Sequence, residues 1–288
     1  MSNAISVNSI FKHYKQFSLE HISFELPTGY IMGLVGPNGA GKTTILKAIM
    51  NAINLNGGSI EVLGFDSVSG EVQIKESTAY IADNIYFSDT WTAKDVLWIM
   101  EKAYQTFDKT KYLDYLGRYE LLANKPIREY SSGMKTKLML AAAFSRQTKL
   151  LLLDEPTSGL DPVMRDEFLS EIKEYIRDGA RSVLYSTHIT ADLEKTADYI
   201  TFINAGHLVF SKDTDTLRES YLIVKDGLNA LELVKDICIG YKTNEYGFEA
   251  LITQQSVNRL SPSCAKQPAS IEDIVVFSSL KGGQNREF

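Results

Sequence analysis

Hydrophobic and polar side chains alternate along residues 5–14 and again along 17–26, where Leu19, Ile22, Phe24 and Leu26 mark an apolar face. A period of two is the mark of a strand with one buried face, so a small antiparallel β-layer is expected at the N-terminus. Residues 30–35 replace the alternation with a nearly unbroken apolar run, which predicts a strand covered on both faces. It leads into a glycine-rich turn and then into residues 42–51, read as a helix. Two further apolar strands are expected at 149–153 and 182–186, with helical stretches between and after them, so the core is predicted to be α/β with a mainly parallel sheet. Between 92 and 146 the period becomes helical. Thr92-Ala-Lys-Asp95 has the form of a capping box, and Val96, Ile99, Met100 and Ala103 follow at helical spacing. That stretch is assigned to a helical subdomain inserted into the core.

Residues 199–203 and 207–210 are expected to pair as a hairpin across Asn204-Ala-Gly206, after which the chain becomes more polar. The principal unit is therefore placed at 1–215 and a small α+β unit at 216–288. The second unit is expected to hold strands at 222–224 and 248–252, a helix at 229–237, and a last helix capped by Ser270-Ile-Glu-Asp273. No internal repeat or low-complexity tract interrupts this pattern.

Composition adds mainly exclusions. The 288 residues are 44% hydrophobic and 23% charged, as in an ordinary soluble chain, and no apolar run approaches the roughly 18 residues of a membrane-spanning helix. A formal charge of −6 argues against nucleic acid as the partner. The first residues carry no basic segment followed by an apolar stretch, so no secretory signal is expected and the cytoplasm is the expected address. Cys238 and Cys264 form no CxxC unit and are read as reduced structural residues.

The chemistry begins at Gly36-Pro37-Asn38-Gly39-Ala40-Gly41-Lys42-Thr43, which fits G-x-x-x-x-G-K-[ST] and lies between a buried strand and a helix, as that motif requires. Its glycines let backbone N–H groups turn toward phosphate oxygens, and the helix beginning near Lys42 directs its positive end at the same point. Lys42 adds a full charge, Thr43 a hydroxyl for Mg²⁺, and Thr44 completes the nucleotide-binding set. Leu150-Leu-Leu-Leu-Asp154-Glu155 places two acids at the carboxyl end of a buried strand, where open α/β sheets bind ligands. Asp154 is expected to hold Mg²⁺ through water, and Glu155 to act as the general base toward the attacking water.

A phosphate loop with a strand-end acid describes many nucleotide hydrolases, and three further segments narrow the choice. Tyr130-Ser131-Ser132-Gly133-Met134 resembles the signature sequence of ATP-binding cassette (ABC) proteins. Pro156-Thr-Ser-Gly-Leu-Asp161 is similar to their D-loop, and His188 in Ser186-Thr-His-Ile matches their switch histidine. Tyr14 falls where the family stacks an aromatic ring on adenine, and Asp83 falls at the Q-loop position. The resemblance runs from about residue 5 to 210 with the motifs in family order. More loosely, the unit beyond 216 resembles an extension found on some bacterial drug or peptide exporter ATPases.

The resemblance implies an ATPase subunit of an ABC transporter, using ATP and Mg²⁺, that powers export of drugs, peptides or lipid-like substrates. It also implies two cassettes facing each other, as a homodimer or a heterodimer, each phosphate loop completed by Ser131, Gly133 and Asp161 around the nucleotide. The membrane-spanning permease is then a separate chain, holding this one at the cytoplasmic face of the plasma membrane. Catalytic roles fall to Glu155 and His188, metal contacts to Thr43, Asp83 and Asp154. Two departures stand out: the signature has serine and methionine where the family usually has glycine and glutamine, and Asp83 has a shorter arm than the usual glutamine or glutamate. Among Ile85, Tyr86, Phe87, Trp91 and Trp98, Phe87 and Trp91 are expected to dock the membrane partner, with Trp98 in the subdomain core. The alternative is a regulatory ABC ATPase without transport, acting through the C-terminal unit.

Overall fold

The computed structural model describes residues 2–82, 85–261 and 264–280. The first strands, β1 (Asn3–His13) and β2 (Ser18–Pro27), form the expected antiparallel pair, and β3 (Ile31–Val35) is buried throughout. The phosphate loop and α1 (Lys42–Ile49) follow, then β4 (Gly57–Val62), β5 (Phe65–Asp66), α2 (Glu71–Ser77) and β6 (Thr78–Ile81). The helical subdomain comprises α3 (Ala93–Ala103), α4 (Lys109–Arg118) and α5 (Ser132–Phe144). The chain returns to the core with β7 (Leu150–Asp154), α6 (Pro162–Ile176), β8 (Ser182–Thr187), α7 (Thr190–Thr196), β9 (Tyr199–Asn204) and β10 (His207–Asp213).

These strands make one ten-stranded sheet in the order β5-β4-β1-β2-β10-β9-β3-β8-β7-β6. The segment from β9 to β6 is parallel and the segment from β5 to β2 antiparallel. The N-terminal layer is thus continuous with the parallel sheet, and among the described residues one pair, His207 opposite Glu20, joins β10 to β2. The residues of β3, β7 and β8 are buried on both faces, which explains the apolar runs of β3 and β7 and the Val183-Leu-Tyr185 centre of β8.

The subdomain helices start where their caps say. Thr92 and Asp95 form a reciprocal capping box at α3, and the Ser131 hydroxyl accepts the Met134 N–H at the start of α5. In α3 the buried stripe is Ala93, Val96 and Met100. Trp98, expected in the core, lies about 200° round from Val96 at 3.6 residues per turn and is 62% exposed. Of the two residues expected to dock the membrane partner, Phe87 is instead buried in the main core, stacked against a partly buried Trp91, and the neighbouring Tyr86 is 54% exposed.

The C-terminal unit continues with α8 (Thr214–Ser220), β11 (Tyr221–Asp226), α9 (Leu231–Lys235), β12 (Cys238–Thr243), β13 (Phe248–Thr253), β14 (Ala265–Pro268) and α10 (Ile271–Ser279). Its four strands pair antiparallel in the order β12-β13-β11-β14. One face encloses a small core of Val224, Leu231, Val234, Phe248, Ala250 and Ile252. On the other, Ile223, Leu251, Ile271, Ile274 and Phe277 join the main core of the cassette. Cys238 and Cys264 are free thiols, the second buried.

Candidate functional site

The phosphate loop runs from the end of β3 to the first turn of α1 and is shaped by three glycines. Gly39 and Gly41 take φ of +80° and +110°, a region costly for residues with a Cβ. Gly36 is needed for space: a Cβ there would lie 2.2 Å from the carbonyl oxygen of Ile203 on β9. Pro37, Asn38 and Gly39 face outward, Ala40 is buried beneath them, and Thr43 and Thr44 lie at the opening of α1 with Thr43 exposed. Lys42 is buried. Its ammonium turns back over the loop, donating to the Gly36 carbonyl at 2.7 Å and the Pro37 carbonyl at 3.4 Å.

The same ammonium lies 3.1 Å from Glu155 Oε1. The other carboxylate oxygen, Oε2, accepts a hydrogen bond at 2.8 Å from Nδ1 of His188, which must then carry the ring proton. Residues at 42, 155 and 188 of the sequence thus meet around one carboxylate. Glu155 itself sits at φ +49°, a left-handed conformation that a side chain occupies at a cost of about 1–2 kcal/mol.

Asp154, one residue earlier, is buried at the end of β7 between two flanking strands. Ser186 of β8, directly opposite in register, donates to Asp154 Oδ1 at 2.7 Å and accepts the Glu155 N–H at 2.9 Å. Tyr80 of β6 donates to Asp154 Oδ2 at 3.4 Å. Neither Ser186 nor Tyr80 has a role in the sequence reading, because nothing in the sequence states which strands flank β7. Both acids are held in place through one hydroxyl.

The loop after Glu155 is anchored on its far side. Thr157 donates to Asp192 Oδ2 at 2.7 Å, in the interior, and Arg165 lies 3.9 Å from the other oxygen of Asp192. Asp161 caps α6, accepting the N–H groups of Val163 and Met164 at 3.0 Å. Tyr14 is 46% exposed on the turn between β1 and β2, with Lys12 over its ring and Phe17 beside it. Phe17 in turn presses on Gly41, where a Cβ would approach its ring to 2.8 Å, so the Tyr14 turn abuts the phosphate loop.

Two of the expected residues stand apart from this cluster. Ser131 caps α5, and Gly133 lies against α6, where a Cβ would meet the Met164 side chain at 2.4 Å. Among the described residues no hydrogen bond links either to the phosphate loop. Asp83 lies outside the described residues.

Mg²⁺ fits the donors present, a buried carboxylate with fixed orientation and an exposed threonine hydroxyl at a helix start. The described residues contain no group of three or more His, Cys, Asp or Glu arranged to hold a metal alone. That pairing of few protein oxygens with substrate phosphates is how Mg²⁺ is usually held. When bound, the ion would neutralise phosphate charge. Lys42 would do the same from the loop, and Glu155 would take or orient the proton of an attacking water while His188 holds its carboxylate in place.

A phosphate loop opening a helix off a parallel sheet, with two acids at the end of a strand one place removed in the same sheet, defines a P-loop nucleoside triphosphatase. The ABC transporter family model matches residues 19–158. Over 225 residues, 78% of this chain and 74% of the relative, the chain is 32% identical to the ABC transporter ATP-binding protein YtrB of Bacillus subtilis. It is 30% identical to the lantibiotic transport ATP-binding protein SrtF of Streptococcus pyogenes, covering 73% of this chain and 91% of that one. With the bacitracin transport ATP-binding protein BcrA of Enterococcus faecalis the identity is again 30%, over 73% and 69% of the two chains. A solved ATP-binding subunit of an ABC transporter superposes with a TM-score of 0.68 at 26% identity, covering 75% of this chain and 92% of that one. The fold also matches a dimeric post-hydrolysis cassette bound to ADP and Pi, with a TM-score of 0.66 at 18% identity over 73% and 98%.

The chain belongs to the ATP-binding proteins of the ABC transporter family. It binds ATP and is an ATPase.

Proposed function

We propose that this chain powers an exporter of drugs, peptides or lipid-like substrates by closing on a second cassette around Mg·ATP and reopening after hydrolysis. Residues 1–215 act as the nucleotide-binding unit and 216–288 as an accessory unit, and a separate permease holds the chain at the cytoplasmic face of the membrane. The observation that carries the catalytic assignment is the Glu155 carboxylate, held between Lys42 at 3.1 Å and His188 at 2.8 Å in front of the phosphate loop. Thr43 and Asp154 serve the metal, together with Asp83 at the Q-loop, and residues Gly36 to Thr44 bind the phosphates, with Tyr14 against the adenine ring.

Pairing of two cassettes is supported by the separation of Ser131 and Gly133 from the phosphate loop of their own chain. A helix start capped by serine suits a phosphate brought by a second copy or a related chain, with Asp161 beside it. Export is supported by the relatives named for lantibiotic and bacitracin transport. No helix among the described residues is long and apolar enough to cross a membrane, which fits peripheral attachment through a permease.

The test is Glu155→Gln, which keeps shape and removes the basic carboxylate. Phosphate release should fall by about a hundredfold or more, while fluorescent-nucleotide binding persists and Mg·ATP drives a dimer visible by size-exclusion chromatography. Hydrolysis at the parent rate would remove the general-base assignment, and a monomer at saturating Mg·ATP would remove the paired-cassette reading.

A further inference from the structure

We propose that the C-terminal unit braces the catalytic histidine through α7, and that Glu194 is the positioning residue of that brace. Helix α7 starts two residues after His188 and is only seven residues long. Three consecutive side chains of this short helix, about 100° apart, meet three different parts of the molecule. Asp192 accepts the hydroxyl of Thr157, in the loop that follows Glu155. Leu193 lies on β3, the strand feeding the phosphate loop, so closely that a Cβ on Gly33 would be 2.0 Å from its Cδ2. Glu194 points the other way and accepts the N–H of Ile271, the first residue of α10, at 2.9 Å.

That last contact places a carboxylate on an unpaired N–H at the positive end of a nine-residue helix, where negative charge is favoured. The carbonyls at the other end of α7 are held from α8 and its start: Arg218 donates to the Glu194 carbonyl at 3.4 Å, and Thr214 to the Ala197 carbonyl at 2.7 Å. Beneath these bonds Ile271, Ile274, Leu193 and Ala197 share one buried cluster. A helix this short has little stability of its own. Its position, and with it the approach of His188 to Glu155 and the anchor of Thr157, is therefore set by what clamps it. The family model matches residues 19–158 and the residues assigned to the site end at His188, so this contact gives the later part of the chain a catalytic consequence.

The proposal rests on the site being an ATPase centred on Glu155 and His188. Glu194→Ala in the full-length protein removes the contact at an exposed position, and Glu194→Gln keeps an oxygen acceptor there. For Glu194→Ala, kcat for ATP hydrolysis should fall about tenfold with KM for ATP and Tm close to the parent, and amide hydrogen exchange in α7 should speed up. Glu194→Gln should recover most of the turnover. Parent kcat in Glu194→Ala overturns the brace, as does a joint loss of kcat, KM and Tm, or a glutamine variant no better than alanine. A failure of the site reading would show separately, as undiminished hydrolysis in Glu155→Gln.

Discussion

Replacing Ser186 by alanine tests how the two acids are held, because one hydroxyl serves both. The substitution deletes a hydrogen bond to the ionised Asp154, at 2.7 Å, and leaves the Glu155 N–H without its acceptor at 2.9 Å. A bond to a charged group contributes about 1.5–3 kcal/mol and an unpaired buried amide costs about 1–3 kcal/mol, so a combined loss of about 3 kcal/mol is a moderate expectation. At about 2–4 °C per kcal/mol for a chain of this size, the Tm should drop by about 6–12 °C. The kinetic effect should be larger than stability alone implies. Glu155 is kept at φ +49° partly by that bond, and once released its backbone relaxes toward the ordinary region, moving the carboxylate from Lys42 and His188. Phosphate release measured well below the melting transition should therefore slow by about 10- to 100-fold, with nucleotide affinity nearly unchanged because the phosphate loop belongs to another strand. A Ser186→Ala protein with kcat within about twofold of the parent and an unaltered Tm would refute the reasoning.

Two further outcomes follow from packing. Gly36→Ala drives a methyl group to within 2.2 Å of the Ile203 carbonyl oxygen, a backbone atom that cannot swing aside; fluorescent-nucleotide titration should show binding weakened by at least about tenfold, with a loss of about 2 kcal/mol or more in denaturant unfolding. Trp98→Ala removes an exposed ring and should leave soluble ATPase activity and stability within about 0.5 kcal/mol of the parent, as measured by phosphate release and denaturant unfolding.

The phosphate loop and both acids are readable because each lies at the end of a strand whose both-sided burial writes an unbroken apolar run before it, and His188 because it follows the shorter apolar stretch Val183-Leu-Tyr185. Periodicity gives each strand's interior but carries no information on its neighbours. Ser186 and Tyr80 reach Asp154 only because β8 and β6 flank β7, a pairing set by crossovers far apart in the chain. Asp192 escaped notice for the same reason, meeting Thr157 across 35 positions. The misplacement of Trp98 had a readable signal: Val96 and Met100, four residues apart, define the inward stripe of α3, and a residue midway between them faces out. The strands β4, β5, β6, β12 and β14 were not anticipated, being short or largely exposed on one side.

Among the described residues a single pair, His207 opposite Glu20, joins β2 to β10 and marks a seam between two plates of the large sheet. The turn bearing Tyr14 rides on one plate and Lys42 follows from the other. Any molecule long enough to touch both spans the seam, over a core in which Ile5, Ile22, Leu34 and Leu152 of the two plates already pack together.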